Sequence, residues 1–243
     1  MPLWSELTHK QFIGASNNTE VAVLVTGALE AHGEHLPLGT DTILPEYLAK
    51  RVAERTKALV LPPIPVGNSW IFNTFEGTVS ITPQTLIALY TDVMRAVFNH
   101  GFRYIVVLNG HGGNVSPLQL AAQTATEQSE RVVIIVNWWI DLGEKARREV
   151  LETYEGHAAE DETSEVMHVR PDLVDMSSAV GGRVESRFRV ISAAYREELY
   201  PSAVWGDPKT ASAEKGKVIM EAAEEELVRL IEELERGVLP IKH

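Results

Sequence analysis

Three short stretches gather residues that can ligate a cation or move a proton. GALEAHGEHLPLGTDT, residues 27–42, holds Glu30, His32, Glu34, His35 and Asp41. LNGHGGN, residues 108–114, sets His111 among three glycines. GHAAEDETSEVM, residues 156–167, carries His157, Glu160, Asp161, Glu162 and Glu165. Ionisable groups packed this densely are costly to desolvate unless they are paired or hold a cation. A metal ion supplies that compensation. Because the chain has no cysteine, the ion must be held by imidazole and carboxylate, a donor set that suits Zn2+, Mn2+ or Fe2+, with zinc or manganese preferred.

Glu30 and His32 stand two residues apart, so a strand running through them would turn both to one side, where each can ligate one of two neighbouring ions. Asp41, expected just before a helix, can bridge two ions, although by itself an aspartate there is an ordinary N-cap. The glycines around His111 permit left-handed turns and close approach to a ligand. Alone, that loop also reads as a tight turn or an anion nest at a helix N-terminus. Acidic residues opening a short helix in the third stretch suit its dipole, which accounts for Glu160 and Asp161. His157, five residues before Glu162, offers a neutral imidazole for proton transfer beside a carboxylate that can face a metal. His35 is expected to steady a ligand carboxylate or the loop. Trp138 and Trp139 either wall a pocket or pack in the core. His9, His100, His168 and His243 lie outside the clusters and are expected to be ordinary surface or core residues.

These residues need a scaffold. VAVLVTGAL (21–29), ALVLPPIPV (58–66), RYIVVL (103–108) and VVIIVNWW (132–139) are apolar runs without polar alternation, as in strands covered on both faces. Helical periodicity is predicted over 42–57, and over 116–128 after the His111 loop. Another helix is opened by Thr82-Pro83 and stopped by Gly101. The alternation predicts an α/β protein, a three-layer α/β/α sandwich around a mainly parallel sheet, with ligands beyond the carboxyl ends of the strands. Residues 175–210 should be loop-rich and near the site or a subunit contact. Eight glutamates between Glu214 and Glu235 read as a solvated helix face.

A chain of 243 residues is expected to form one domain over 1–243. Its net charge of −12 disfavours nucleic acid and anionic membrane as partners. No apolar run approaches the roughly 20 residues of a membrane span, and no secretory leader is recognisable. The expectation is a cytoplasmic, soluble protein acting on a small molecule. The Gly-x-Ser-x-Gly elbow of many serine hydrolases is missing.

The three clusters, in this order, resemble the creatininase (creatinine amidohydrolase) family, whose motifs look like G-x-x-E-x-H-G-x-H-L-P-L-x-T-D, N-G-H-G-G-N and H-A-x-x-x-E-T-S. Here they fall at 27–41, 109–114 and 157–164. FEGTVSITP at 75–83 and GDPKTASAEKGK at 206–217 extend the likeness over nearly the whole chain. The resemblance implies a homohexamer with two divalent ions per chain. Glu30, Asp41 and His111 would surround one ion, and His32 with Asp41 the other, with Asp41 as the bridge. Creatininase proper carries a further glutamate where this chain has Gly113, so that role transfers to Glu162, with Glu160 as its competitor. The implied chemistry is hydrolysis of a cyclic amide, formamide or related C–N bond by a water activated between the ions, with His157 moving the proton. Gly112-Gly113 in place of a Tyr-Glu pair points away from creatinine itself. Family members with the glycine-rich version include a formamidopyrimidine deformylase, a peptidase of mycofactocin maturation and a hydrolase of oxidised inositols. Peptide cleavage and C–C hydrolysis at the same metal site are therefore alternatives, and a non-enzymatic anion-binding protein is the alternative of a different class.

Overall fold

The β-branched runs pair as four parallel strands in the order β2 (Leu59–Val60), β1 (Val21–Thr26), β3 (Tyr104–Asn109) and β4 (Val132–Asn137). The computed structural model describes residues 3–127, 130–153 and 156–241. In chain order the elements are α1 (His9–Ser16), β1 (Val21–Thr26), α2 (Thr40–Arg55), β2 (Leu59–Val60), α3 (Pro83–Asn99), β3 (Tyr104–Asn109), α4 (Val115–Thr126) and β4 (Val132–Asn137). They are followed by α5 (Trp138–Asp141), α6 (Glu144–Val150), α7 (Glu160–Val169), α8 (Arg196–Leu199) and α9 (Ala213–Glu235). Gln128, expected to close α4, and His243 lie outside the described residues.

Successive side chains of a strand point to opposite faces, and here both faces are covered. Val21, Val23 and Val25 pack with Leu44 and Leu48 of α2 and Leu227 and Ile231 of α9. Ala22 and Leu24 pack on the other side with Leu86, Tyr90 and Met94 of α3 and Leu118 of α4. This is the expected α/β/α sandwich. The cap of α3 is also as expected, with Thr82 accepting from the Thr85 N–H and Pro83 at the first helical position.

Four expectations change. β1 ends at Thr26 rather than running through Glu30 and His32, so a loop delivers those side chains. The second strand is only Leu59–Val60, with one isolated bridge from Ile64 to Thr26, because Pro62 and Pro63 cannot donate to a ladder. β4 is an edge strand, half-buried over most of its length. On α9, Glu224 is buried and held by Arg51 and Arg55 at 3.0 and 2.7 Å, while most of the other glutamates are exposed. Among the described residues no helix is long and apolar enough to cross a membrane.

The parallel ladder brings the last residues of three strands, Thr26, Asn109 and Asn137, into register. Their side chains form a polar rung: the Thr26 hydroxyl donates to Asn109 Oδ1 at 3.1 Å, and Asn109 Nδ2 donates to Asn137 Oδ1 at 2.9 Å. Asn109 also accepts from the His111 N–H at 3.2 Å and donates to its carbonyl at 2.9 Å. The loop carrying His111 is thereby fixed to the edge of the sheet.

On the other side, α7 lies against α9 so closely that a Cβ at Gly216 would sit 1.9 Å from the Ser164 carbonyl. The Ser212 N–H, at the cap of α9, donates to the Ser164 hydroxyl at 3.1 Å. A methyl group at 216 must therefore push the two helices apart. Gly216→Ala is expected to destabilise the fold by about 1–3 kcal/mol, the range for an overpacked contact, measured as a fall in the urea midpoint.

Candidate metal centre

Glu30, His32, Asp41, His111, His157 and Glu162 come together beyond the carboxyl ends of the strands, as the parallel architecture requires. The loop after β1 brings Glu30 and His32, both buried, and the first turn of α2 brings Asp41. Asp41 lies one residue inside the helix rather than ahead of it, with Gly39 at the cap. The loop after β3 brings His111. The segment before α7 brings His157, and the first turn of α7 brings Glu162.

Each of the three imidazoles is anchored at one ring nitrogen by a backbone carbonyl. His32 Nδ1 donates to the Glu30 carbonyl at 3.1 Å, His111 Nε2 to that of Asn68 at 3.0 Å, and His157 Nε2 to that of Ala31 at 2.9 Å. The other nitrogen of each ring then faces carboxylates. His32 Nε2 is 2.9 Å from Asp41 Oδ1 and 3.8 Å from Glu162 Oε2. His111 Nδ1 is 2.8 Å from Asp41 Oδ2 and 3.4 Å from Glu30 Oε1, and His157 Nδ1 is 3.9 Å from Glu30 Oε1.

This arrangement sets lone pair against lone pair unless a cation stands between them. The close approach of His111 to Asp41 Oδ2 is not aligned as a hydrogen bond, and that oxygen and Glu30 Oε2 are buried without hydrogen-bond partners. With only protons to share, burial pulls His32 down, but Asp41, Glu162 and Glu30 outweigh it and hold the ring up at about 10. Burial likewise opposes protonation of His111, which Glu30 and Asp41 raise well above its usual value. Glu162 is pushed up to about 7 by burial and by Asp41, against the pull of His32. The residues fit divalent cations: Glu30, Asp41 and His111 can surround one ion, His32, Asp41 and Glu162 another, and Glu30, His32 and His157 form a third grouping.

His157 differs from the other two. Burial and the neighbouring His32 lower it to about 4, against the opposite pull of Glu30 and Asp41. The carboxylates that act on it are thus those of the loop after β1 and of α2, not those of α7. Its ring lies between His32 and Phe72, both centroids 4.2 Å away, with Phe72 stacked at 14°. Its backbone is paired in both directions with Trp205, at 3.0 and 2.9 Å. The next residue, Ala158, is held at φ 51°, a strained conformation for a residue with a Cβ. In that conformation its N–H donates to Glu162 Oε2 at 2.6 Å.

Glu160 points elsewhere. Its carboxylate takes Lys215 Nζ at 2.6 Å, the Thr153 hydroxyl at 2.7 Å and the N–H groups of Glu152 and Thr153. These bonds overcome burial and hold it down at about 2. Its neighbours Asp161, in the first turn, and Glu165, one turn on, are buried as well, and Glu165 pairs with buried Arg147 at 3.0 Å. His35 donates to or accepts from the Thr163 hydroxyl at 3.0 Å, so it steadies the loop against α7. Glu34 is exposed.

The His111 loop corrects another expectation, since none of Gly110, Gly112 and Gly113 has positive φ. What the glycines provide is close approach. A Cβ at Gly110 would lie 1.9 Å from the Asp41 carbonyl, and one at Gly113 would lie 2.0 Å from the Asn68 carbonyl that anchors His111. A glutamate at 113 does not fit this backbone.

A cavity of about 440 Å³ opens over the cluster, walled by Phe72, Trp139, Tyr200 and Trp205. Trp138 instead is buried, with Arg147 5.0 Å above its ring. Phe72 lacked a sequence signal, since it sits in an irregular segment outside the three clusters, and Tyr200 had only the expectation that the loop-rich stretch 175–210 lies near the site or a subunit contact.

Fold and site together define an α/β protein with a buried carboxylate–imidazole cradle at the carboxyl edge of a parallel sheet. The comparisons then name the family. The family model described as "Creatininase: Creatinine amidohydrolase" matches residues 5–231. A creatinine amidohydrolase from Pseudomonas putida is 32% identical over 94% of this chain and 95% of its own. A mycofactocin precursor peptide peptidase from Mycobacterium ulcerans is 30% identical over 79% of this chain and 77% of its own. A solved structure named "Creatininase Mn" superposes with a TM-score of 0.88 at 28% identity, covering 96% of this chain and 98% of that one. The chain belongs to the creatininase family of amidohydrolases.

The two glutamates of α7 can be separated by substitution. Glu160→Gln should keep the wild-type metal content but lower stability at neutral pH by about 1–3 kcal/mol. Because Glu160 is held below its ordinary value, its contribution is present above about pH 4.5 and lost as pH falls towards 2. The stability gap between wild type and Glu160→Gln should close over that interval in urea titrations. Glu162→Gln should instead lose metal by elemental analysis.

Proposed function

We propose that this chain is a metal-dependent amidohydrolase with two divalent ions per chain, Zn2+ or Mn2+ before Fe2+, acting on a cyclic amide, formamide or related C–N bond. Glu30, Asp41 and His111 would hold one ion and His32, Asp41 and Glu162 the other, with Asp41 bridging. The observation that carries this reading is the set of anchored imidazoles facing carboxylates, with Glu30 Oε2 and Asp41 Oδ2 left without hydrogen bonds. Divalent ions there would supply Lewis acidity and lower the pKa of a water towards neutrality.

The remaining steps fall to the chain's own residues. With Nε2–H committed to Ala31, His157 has Nδ1 free to accept a proton from the attacking water. Burial disfavours its charged form, so it is neutral beforehand and ready to return the proton to a leaving nitrogen. Phe72, stacked on the ring, fixes its orientation and keeps water from that face. The aromatic walls suit a small organic substrate.

An anion-binding role for the His111 loop has less support, because Glu30 and Asp41 lie 3.4 and 2.8 Å from that ring and would repel an anion. A homo-oligomer, expected as a hexamer, is supported by Phe188 and Ile191, each 71% exposed on one segment.

Elemental analysis should find about two ions per chain, and chelation should abolish hydrolysis in a screen of cyclic amides and formamides. A metal-free protein with full activity sinks the proposal. Asp41→Ala should lose both ions while keeping its circular dichroism spectrum, and full metal retention would exclude the bridge. His157→Ala should keep both ions and lose about 10²- to 10⁴-fold in kcat, the range for a proton-transfer group. Metal loss in that variant would instead make His157 a ligand.

A further inference from the structure

The active-site cavity does not end at His111. A second hollow of about 340 Å³ begins beyond Gly112 and Gly113 and shares Ile71, His111 and Tyr200 with the first. A Cβ at Gly112 would meet no atom within 4 Å, so the missing side chain leaves the two hollows joined as one groove. The far wall of that groove contains Arg189 and Arg196.

The arginines of this segment differ in how far they are committed. Arg196 donates to the Trp70 carbonyl and the Asn73 side chain, and lies 4.6 Å over the Trp70 ring, so it stiffens the wall. Arg183 pairs with Glu185 at 3.1 Å, and Arg187 lies 5.1 Å over the Phe188 ring. Arg189 is exposed and, among the described residues, has no hydrogen-bond or ion-pair partner. In a chain of net charge −12 whose catalytic end is itself lined by carboxylates, an uncommitted guanidinium in the groove wall is an unusual local charge. Its planar fork suits an oxyanion and offers nothing to a neutral alkyl group.

We propose that Arg189 binds an anionic oxygen group, a carboxylate or phosphate, on the end of the substrate remote from the bond that is cut. The substrate class is then an extended acidic amide that passes over Gly112, rather than a compact neutral ring. The term substrate rests on the hydrolase reading above, whereas anion binding at Arg189 can be measured without turnover.

The test uses the metal-loaded protein in its native assembly. Calorimetric titration compares N-formyl ω-amino acids of increasing chain length with their uncharged amides and with phosphate counterparts. At one chain length an anionic probe should bind about tenfold more tightly than its amide, as for one charge-assisted contact. Arg189→Gln should remove that preference, Arg189→Lys should restore part of it, and metal content should stay at the wild-type level in both. Whether the carboxylate or the phosphate series shows the larger preference identifies the anion. Equal binding of charged and neutral probes, no binding of any probe, or a preference that survives in Arg189→Gln overturns the assignment. Turnover of the same probes is scored separately. A preference without hydrolysis leaves the anion site standing and counts only against formamide cleavage, whereas hydrolysis without a preference leaves the hydrolase reading standing and removes the anion site.

Discussion

Three imidazoles, each with one nitrogen tied to a backbone carbonyl and the other directed at carboxylates, form the constraint on which this protein is organised. A carbonyl can only accept, so it fixes the tautomer of each ring and makes the inward nitrogen an acceptor too. Acceptors facing buried carboxylate oxygens at 2.8–3.9 Å repel one another until a cation arrives. Protons can fill that role, which is why His32 is held near 10 and His111 is raised. A divalent ion fills it with less demand on direction, since a cation, unlike a proton, can share several lone pairs at once.

Most of the tertiary structure can be read as support for that cradle. The three carbonyls belong to Glu30, Ala31 and Asn68, all in irregular loops that the sheet edge must hold still. The Thr26–Asn109–Asn137 rung and the close seat of Gly110 on Asp41 tie the His111 loop to α2. The Ser164–Gly216 contact holds α7 in place on α9, and Lys215, one residue before that contact, takes up Glu160. Strain is concentrated at Ala158, where a left-handed residue aims the His157 ring and an N–H for Glu162 at once. Packing across the large cores on both sides of the sheet can bear that local cost.

Gly112 and Gly113 shape both the cradle and the hollow beside it. At 113, the Asn68 carbonyl that anchors His111 takes the space a side chain would need, so no carboxylate enters the cradle from that position, and the one that faces His32 beside Asp41 is Glu162 of α7. At 112, the vacated volume lengthens the groove towards the arginine-bearing wall. One pair of adjacent glycines therefore bears on the cradle and on the volume next to it.

The apolar runs, the Thr82-Pro83 cap and the three polar clusters already specified a parallel α/β sandwich and five of the six converging residues, because burial period, cap chemistry and the cost of crowded charge are local properties. Glu162 itself was legible only as one of a pair with Glu160. Two residues on an α-helix are turned about 200° apart, so only one can face the site, and nothing in the local pattern says which. Tertiary contacts decided it, since Lys215 on α9 and the Glu152–Thr153 backbone captured Glu160 and turned Glu162 inwards. The same holds for Phe72, Tyr200, Trp205 and Arg189, whose places in the walls depend on irregular chain paths. Periodicity fixes which side of an element is buried; which distant chain covers it is settled only when the layers pack.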